Sequence, residues 1–259
     1  MRRAFAVLLL GACLFAGGLS PAGAGGSLSD LAFRPHPGAE LPLQARLIDE
    51  QGRSRPLAAF FTGKPVVLVL EYLRCRTLCG LTLQRLITAL DGLPLEAGRD
   101  FDLLAISIDP RDTQADAAAA KRKVLAGYRH PGGPLGMHFL TGPETSVREV
   151  AEAVGFPYQY DATLDQYIHP AGFVVATPDG RISRYVLGID PGAVDLRQAL
   201  ADAARGEKSD VFSRIALLCH AAGLPTGRYS APILAALAAA NIAGTAVLIG
   251  VFTAIRRRG

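Results

Sequence analysis

Cys75 and Cys79 stand four residues apart in Leu70-Glu71-Tyr72-Leu73-Arg74-Cys75-Arg76-Thr77-Leu78-Cys79, where an apolar run gives way to a helical pattern. On the first turns of a helix two such thiols share one face, so they can grip a soft metal ion or close on each other as a disulfide. The preceding Val66-Val67-Leu68-Val69-Leu70 is continuous and β-branched, as a buried parallel strand is. Leu81, Leu83, Leu86, Ile87 and Leu90 follow near helical spacing. The pair therefore sits between the carboxyl end of a strand and the amino end of a helix, where the helix dipole favours thiolate over thiol. A structural disulfide without turnover is the bland reading of the same pair.

The elements that must position these thiols follow in order. Gln44 to Ile48 and Pro56-Leu57 read as a short hairpin turning at Gly52, and Asp100 to Asp109 as a second buried strand ended by Asp109-Pro110. A helix is expected from about Thr113 to Tyr128, capped by Asp112 or Thr113. Met137 to Thr141 reads as a strand, and Pro143 to Val154 as a helix that Gly155 stops. Asp161 to Pro170 reads as a polar connection. Ala171 to Thr177 and Ile182 to Leu187 form a hairpin through Pro178-Asp179-Gly180, and a helix from about Ala193 to Ala204 closes the domain. Strand alternating with helix predicts an α/β domain, and the order βαβ, helix, ββα with a dithiol opening the first helix is thioredoxin-like.

The ends of the chain carry targeting signals. Met1-Arg2-Arg3, the apolar stretch Ala4 to Leu10 and the small residues ending Ala22-Gly23-Ala24 read as a secretory signal over residues 1–24, with lipoprotein processing at Cys13 as the alternative. Residues 25–43, rich in Gly, Pro and Ser, read as a leader or tether, 44–205 as the domain and 206–230 as a juxtamembrane segment. Residues 231–255 contain no charge and are long enough to span a bilayer, a buried core helix being the other reading. Arg256-Arg257-Arg258 then marks the cytoplasmic end in the tail 256–259. The expected arrangement is a bacterial inner-membrane protein with one C-terminal span and its soluble domain in the periplasm.

The formal charge of +4 dissolves on this division. Without Arg2, Arg3 and the three terminal arginines, the 27 basic residues fall to 22 against 23 acidic ones, leaving about −1 on the exported body. No basic patch interleaved with aromatics and no phosphate-cradling glycine loop is present, which argues against a nucleic-acid partner. Of four cysteines, Cys75, Cys79 and Cys219 lie beyond the signal, too few for a disulfide-stapled scaffold. Cys219 and His220 are neighbours, which point apart on a helix, and read as juxtamembrane packing. His36 falls in the leader, and His130 and His138 read as structural.

From about Gln44 to Ala204 the chain resembles the SCO/SenC family of membrane-anchored copper proteins. The resemblance rests on Cys75 and Cys79 after an aromatic-ended strand, on Ser107-Ile108-Asp109-Pro110-Arg111-Asp112-Thr113, on His138-Phe139-Leu140-Thr141-Gly142, and on His169 with the Pro178-Asp179-Gly180 hairpin. It implies a thioredoxin-like domain and a copper chaperone for cytochrome c oxidase assembly, with Cys75, Cys79 and His169 as metal ligands. Two thiolates and an imidazole suit soft Cu(I) and discriminate against hard cations. Cu(II) would favour a further ligand, and Asp109 is the candidate, placed behind the ligands more than among them. The implied partners are a copper-receiving membrane protein such as an oxidase subunit, a copper donor and a thiol reductant. Arg76 departs from the family's usual proline after the first cysteine, and a cation there lowers the neighbouring thiol pKa for metal binding or thiol exchange alike. The rival reading is accordingly a membrane-anchored thiol-disulfide oxidoreductase. A peroxidase lacks support, because the Pro-x-x-x-Thr/Ser-x-x-Cys pattern is missing around Cys75.

Overall fold

The computed structural model describes residues 31–74, 79–189 and 192–207, the side chain of Cys79 lying outside that description. The segments read as signal, anchor and basic tail, and residues 208–230 of the juxtamembrane region, together with Cys13, Cys219 and His220, also fall outside it. No helix among the described residues is long and apolar enough to cross a membrane.

Five strands form the central sheet, and their composition explains their places. The strands at its middle, β3 (Val66–Glu71) and β4 (Asp102–Ser107), are buried at every residue and lie parallel, with Val66 opposite Asp102 and Glu71 opposite Ser107. Both faces of such a strand are covered, so its sequence is a continuous apolar run without alternation. The edge strand β5 (Met137–Leu140) lies parallel to β4, whereas β8 (Gly172–Ala176) and β9 (Ile182–Leu187) run antiparallel on the other side. The order is β5-β4-β3-β8-β9.

Successive side chains of β3 divide between two cores. Val67 and Val69 meet Leu83, Leu86, Ile87 and Leu90 of α1 (Cys79–Asp91) and Leu196, Ala199, Leu200 and Ala203 of α5 (Ala193–Ala204). Ala117 of α2 (Gln114–Leu125) closes the same layer. Val66, Leu68 and Leu70 meet Val147, Val150 and Ala151 of α4 (Glu144–Ala153), with Phe33, Leu41 and Leu47 from the chain before the sheet. Gly155 ends α4 at φ +62°, where a Cβ would lie 1.8 Å from the Arg34 carbonyl oxygen; Arg34 N–H donates to the Gly155 carbonyl at 2.8 Å.

Boundaries follow local chemistry. The first hairpin pairs β1 (Arg46–Ile48) with β2 (Ser54–Pro56), and a 3-10 turn (Leu57–Phe60) follows. Thr113, not Asp112, caps α2: its hydroxyl accepts from Asp116 N–H, and the Asp116 carboxylate accepts from Thr113 N–H in return. A helical turn and a hairpin were not expected from the sequence. Gly133–Gly136 makes a single helical turn, α3. A hairpin, β6 (Gln159–Asp161) with β7 (Gln166–Ile168), begins just before the stretch read as a polar connection and runs into it, forming its own two-stranded sheet. Its strands are short and half-exposed, so hydrophobic periodicity does not mark them.

Candidate functional site

The chain leaves β3 as Tyr72-Leu73-Arg74, and a buried carboxylate holds it there. Asp112, 6% exposed, accepts the Leu73 N–H at 2.7 Å and Arg74 Nε at 2.6 Å. The Ser107 hydroxyl, at the end of the neighbouring strand β4, donates to the same carboxylate at 2.6 Å and accepts the Asp109 N–H at 3.1 Å. The last described residues before Cys75 are thus tied to the loop between β4 and α2. Cys75 lies outside the described residues; the backbone of Cys79 opens α1.

Asp109 is buried at 4% exposure, with its carboxylate engaged by arginine. Arg111 donates through Nε and Nη2 at 2.9 Å each, a bidentate fork, and Arg74 stands 3.8 Å away. From Arg111 the network continues outward: Nη1 donates to Asp165 at 2.8 Å, and the guanidinium lies 4.9 Å from the centroid of the Tyr160 ring. Tyr160 OH also donates to Asp165, at 2.7 Å. These carboxylates hold the Arg111 guanidinium even more firmly charged than usual.

His169 sits between β7 and β8, and strand register brings it here. β8 runs antiparallel to β3 with Leu68 opposite Val174, so the chain entering β8 passes the chain leaving β3. The imidazole stands edge-on to Tyr72, ring centroids 6.1 Å apart, and packs against Phe156 at 5.4 Å. Nδ1 lies 3.0 Å from the Pro170 carbonyl oxygen; since a carbonyl can only accept, Nδ1 carries the proton. Nε2 then presents a lone pair, and it is sealed from solvent without a hydrogen-bond partner among the described residues. Burial lowers the imidazole pKa, against a smaller opposing effect of the Pro170 bond. A neutral ring fixed by Nδ1–H on a carbonyl, its Nε2 free, is the form in which histidine binds a metal.

The other histidines among the described residues have structural partners. His36 Nδ1 lies 3.4 Å from the Ala153 carbonyl oxygen, and His130 Nε2 lies 3.1 Å from that of Asp91. His138 packs on Phe60 and places Nδ1 3.6 Å from Glu50, whose buried carboxylate also takes the Lys121 ammonium at 2.5 Å. Burial pushes the Glu50 pKa up, but the bonds from His138 and Lys121 outweigh it and bring it to about 2.

Asp112, Arg111, Asp165 and Tyr72 surround the candidate site and were not singled out by sequence as site residues. Asp112 and Arg111 fall within the segment Ser107 to Thr113, where only Asp109 stood out; their long-range bonds leave no local pattern. Among the described residues no group of three or more His, Cys, Asp or Glu side chains is gathered as a metal cluster.

Three comparisons set this site in context. The family model described as SCO1/SenC matches residues 39–203. Comparison with the curated proteins gives no match. Among solved structures, one from Aquifex aeolicus VF5 is similar at 26% identity and TM-score 0.57, covering 66% of this chain and 95% of that one. Arabidopsis thaliana ScoI, solved with copper bound, is similar at 20% identity and TM-score 0.52, covering 65% and 98%. BsSco, described as a member of the Sco family of cytochrome c oxidase assembly proteins and as having a disulfide switch, is similar at 18% and TM-score 0.50, covering 66% and 97%. The last two likenesses show the fold.

Proposed function

The chain belongs to the SCO1/SenC family, matched over residues 39–203, and on that premise we propose that it is a copper-binding metallochaperone. Copper is its cargo, held as Cu(I) by Cys75, Cys79 and His169 and delivered to an exported copper site of cytochrome c oxidase. The observation that carries the reading is His169: a neutral, oriented imidazole with a sealed, unpartnered Nε2 beside the end of the strand that leads to Cys75. A buried nitrogen lone pair without a donor is costly unless something occupies it, and a soft cation between two thiolates is a suitable occupant. Copper bound to Arabidopsis ScoI and the oxidase-assembly description of BsSco agree in chemistry. Asp109, committed to Arg111, supports the ligand set from behind and leaves Cu(I) to the softer groups.

The amino-terminal signal and the apolar stretch 231–255 followed by three arginines support a single membrane span with the domain in the periplasm. Tethering on the membrane of the copper-receiving partner raises the effective concentration for hand-over. A copper donor and a thiol reductant complete the partner set, because a disulfide between Cys75 and Cys79 cannot bind copper.

A thiol-disulfide oxidoreductase is the second reading, favoured by the placement of the dithiol between β3 and α1 of a thioredoxin-like sheet and by the disulfide switch of BsSco. One experiment separates them. The full-length chain, loaded with one cuprous equivalent, is mixed with an apo dinuclear-copper acceptor, alongside an unloaded reduced sample and an acceptor with oxidised cysteines. Copper transfer that is lost in His169→Ala supports the chaperone. Reduction of the acceptor disulfide that persists in His169→Ala and is lost in Cys75→Ser supports the oxidoreductase.

A further inference from the structure

Among the described residues no strand of the five-stranded sheet pairs with the hairpin of β6 and β7, yet its second strand delivers His169 directly. A two-stranded hairpin is marginally stable alone, and this one is paired only with itself in a separate sheet. Arg111 bridges it to the body of the domain. Two guanidinium nitrogens are locked onto buried Asp109 in the loop after β4, while the third reaches Asp165 in the hairpin turn and the guanidinium lies over Tyr160 of β6. Asp165 adopts φ +46°, a conformation few non-glycine residues hold without compensation. An isolated surface ion pair would contribute little. This arginine is different, because its fork is already oriented by a carboxylate that is 3% exposed in its side chain, so little freedom remains to be lost when Asp165 binds.

The same network continues inward. Asp109 N–H is held by Ser107, Ser107 donates to Asp112, and Asp112 holds Leu73 N–H and Arg74 just ahead of Cys75. One chain of hydrogen bonds therefore touches both segments that carry the proposed ligands.

We propose that Arg111 is a positioning residue for His169, clasping the hairpin of residues 159–168 so that the imidazole meets the ion held by the dithiol. The inference rests on the copper reading of His169, and goes beyond it by assigning a residue that touches no copper.

The test uses the full-length chain as wild type, Arg111→Gln, Asp165→Asn, His169→Ala and the double variant Arg111→Gln/His169→Ala. The first readout is amide hydrogen exchange of residues 159–168 in the metal-free protein, which is independent of copper. Exchange there should accelerate in both Arg111→Gln and Asp165→Asn, with the amides of β3 and β4 unchanged. The second is cuprous affinity by chelator competition: Arg111→Gln should weaken it by about tenfold, as loss of a residue that orients a ligand does, and should add nothing once His169 is alanine. Wild-type exchange in the hairpin, or an Arg111→Gln effect fully additive with His169→Ala, would overturn the clasp. Failure of the copper reading looks different, since His169→Ala would then bind as wild type does. Asp165→Asn guards against a folding defect, because its side chain is 75% exposed and lies in a turn.

Discussion

The Tyr72 ring meets the His169 imidazole edge-on, centroids 6.1 Å apart and planes at 88°. Tyr72 is the first residue beyond β3, so the strand that leads toward Cys75 also supplies one wall for the histidine. Tyr167 packs on the same ring at 5.7 Å, and the three rings join the end of the sheet to the hairpin. Aromatic packing of this kind orients an imidazole without occupying its nitrogens, which keeps Nε2 available to a metal.

Removing that wall should cost both stability and copper. Tyr72 is 8% exposed, so Tyr72→Ala is expected to destabilise the domain by about 3 kcal/mol in chemical denaturation, as loss of a buried ring does. Cuprous affinity should fall with it. Tyr72→Phe preserves the ring contact with His169 and should leave cuprous affinity within about twofold of wild type, since the packing is what matters to the imidazole.

Asp112 ties Leu73 and Arg74 to the loop after β4, and its replacement isolates several donors at once. Asp112→Ala leaves the Leu73 N–H without its acceptor and the Ser107 hydroxyl with only the Asp109 carbonyl oxygen at 3.5 Å. The expected loss is about 2–4 kcal/mol of unfolding free energy, the range for stranding buried donors that had bonded a charged group. Urea titration followed by circular dichroism checks it, and a change under about 0.5 kcal/mol, the level of an ordinary surface substitution, would show that the carboxylate is dispensable.

Glu50 gives a pH dependence that does not involve the proposed copper ligands. Its carboxyl is brought from an ordinary 4.5 to about 2 in the folded chain, burial being outweighed by His138 and Lys121. A carboxyl depressed on folding contributes stability that is complete above its unfolded pKa and lost as pH falls through the folded one. The contribution should therefore disappear between about pH 4.5 and pH 2, and amounts to up to about 3 kcal/mol. Stability measured across that window should fall less steeply in Glu50→Gln than in wild type. At neutral pH the variant should be less stable, because Lys121 loses its buried partner.

Much of this architecture is legible in the sequence, and the exceptions share a cause. Strands β3 and β4 stand out because each is a continuous apolar run between turn signals, and α1 because Leu83, Leu86, Ile87 and Leu90 fall on one face. The β8–β9 hairpin is announced by Pro178-Asp179-Gly180, where Gly180 adopts φ +83° against the Leu43 side chain. The β6–β7 hairpin is not announced, because Tyr160 and Tyr167 gain their order from each other and from Arg111. Of the two cap candidates the structure selects Thr113, and the role of Asp112 is not legible for the same reason: its partners Leu73, Arg74 and Ser107 lie on other elements, and no spacing rule reaches them. His169 could be named from the resemblance alone, whereas its tautomer and its sealed Nε2 required the fold.

The decisive measurement is an anaerobic titration of the reduced full-length chain with cuprous ion against a competing chelator, beside His169→Ala. One tight equivalent in wild type, weakened by more than about tenfold in the variant, is the expected result for an ion held by two thiolates and this imidazole. Binding that is weak, or equally tight without His169, would contradict the three-ligand site and leave Cys75 and Cys79 as a redox dithiol.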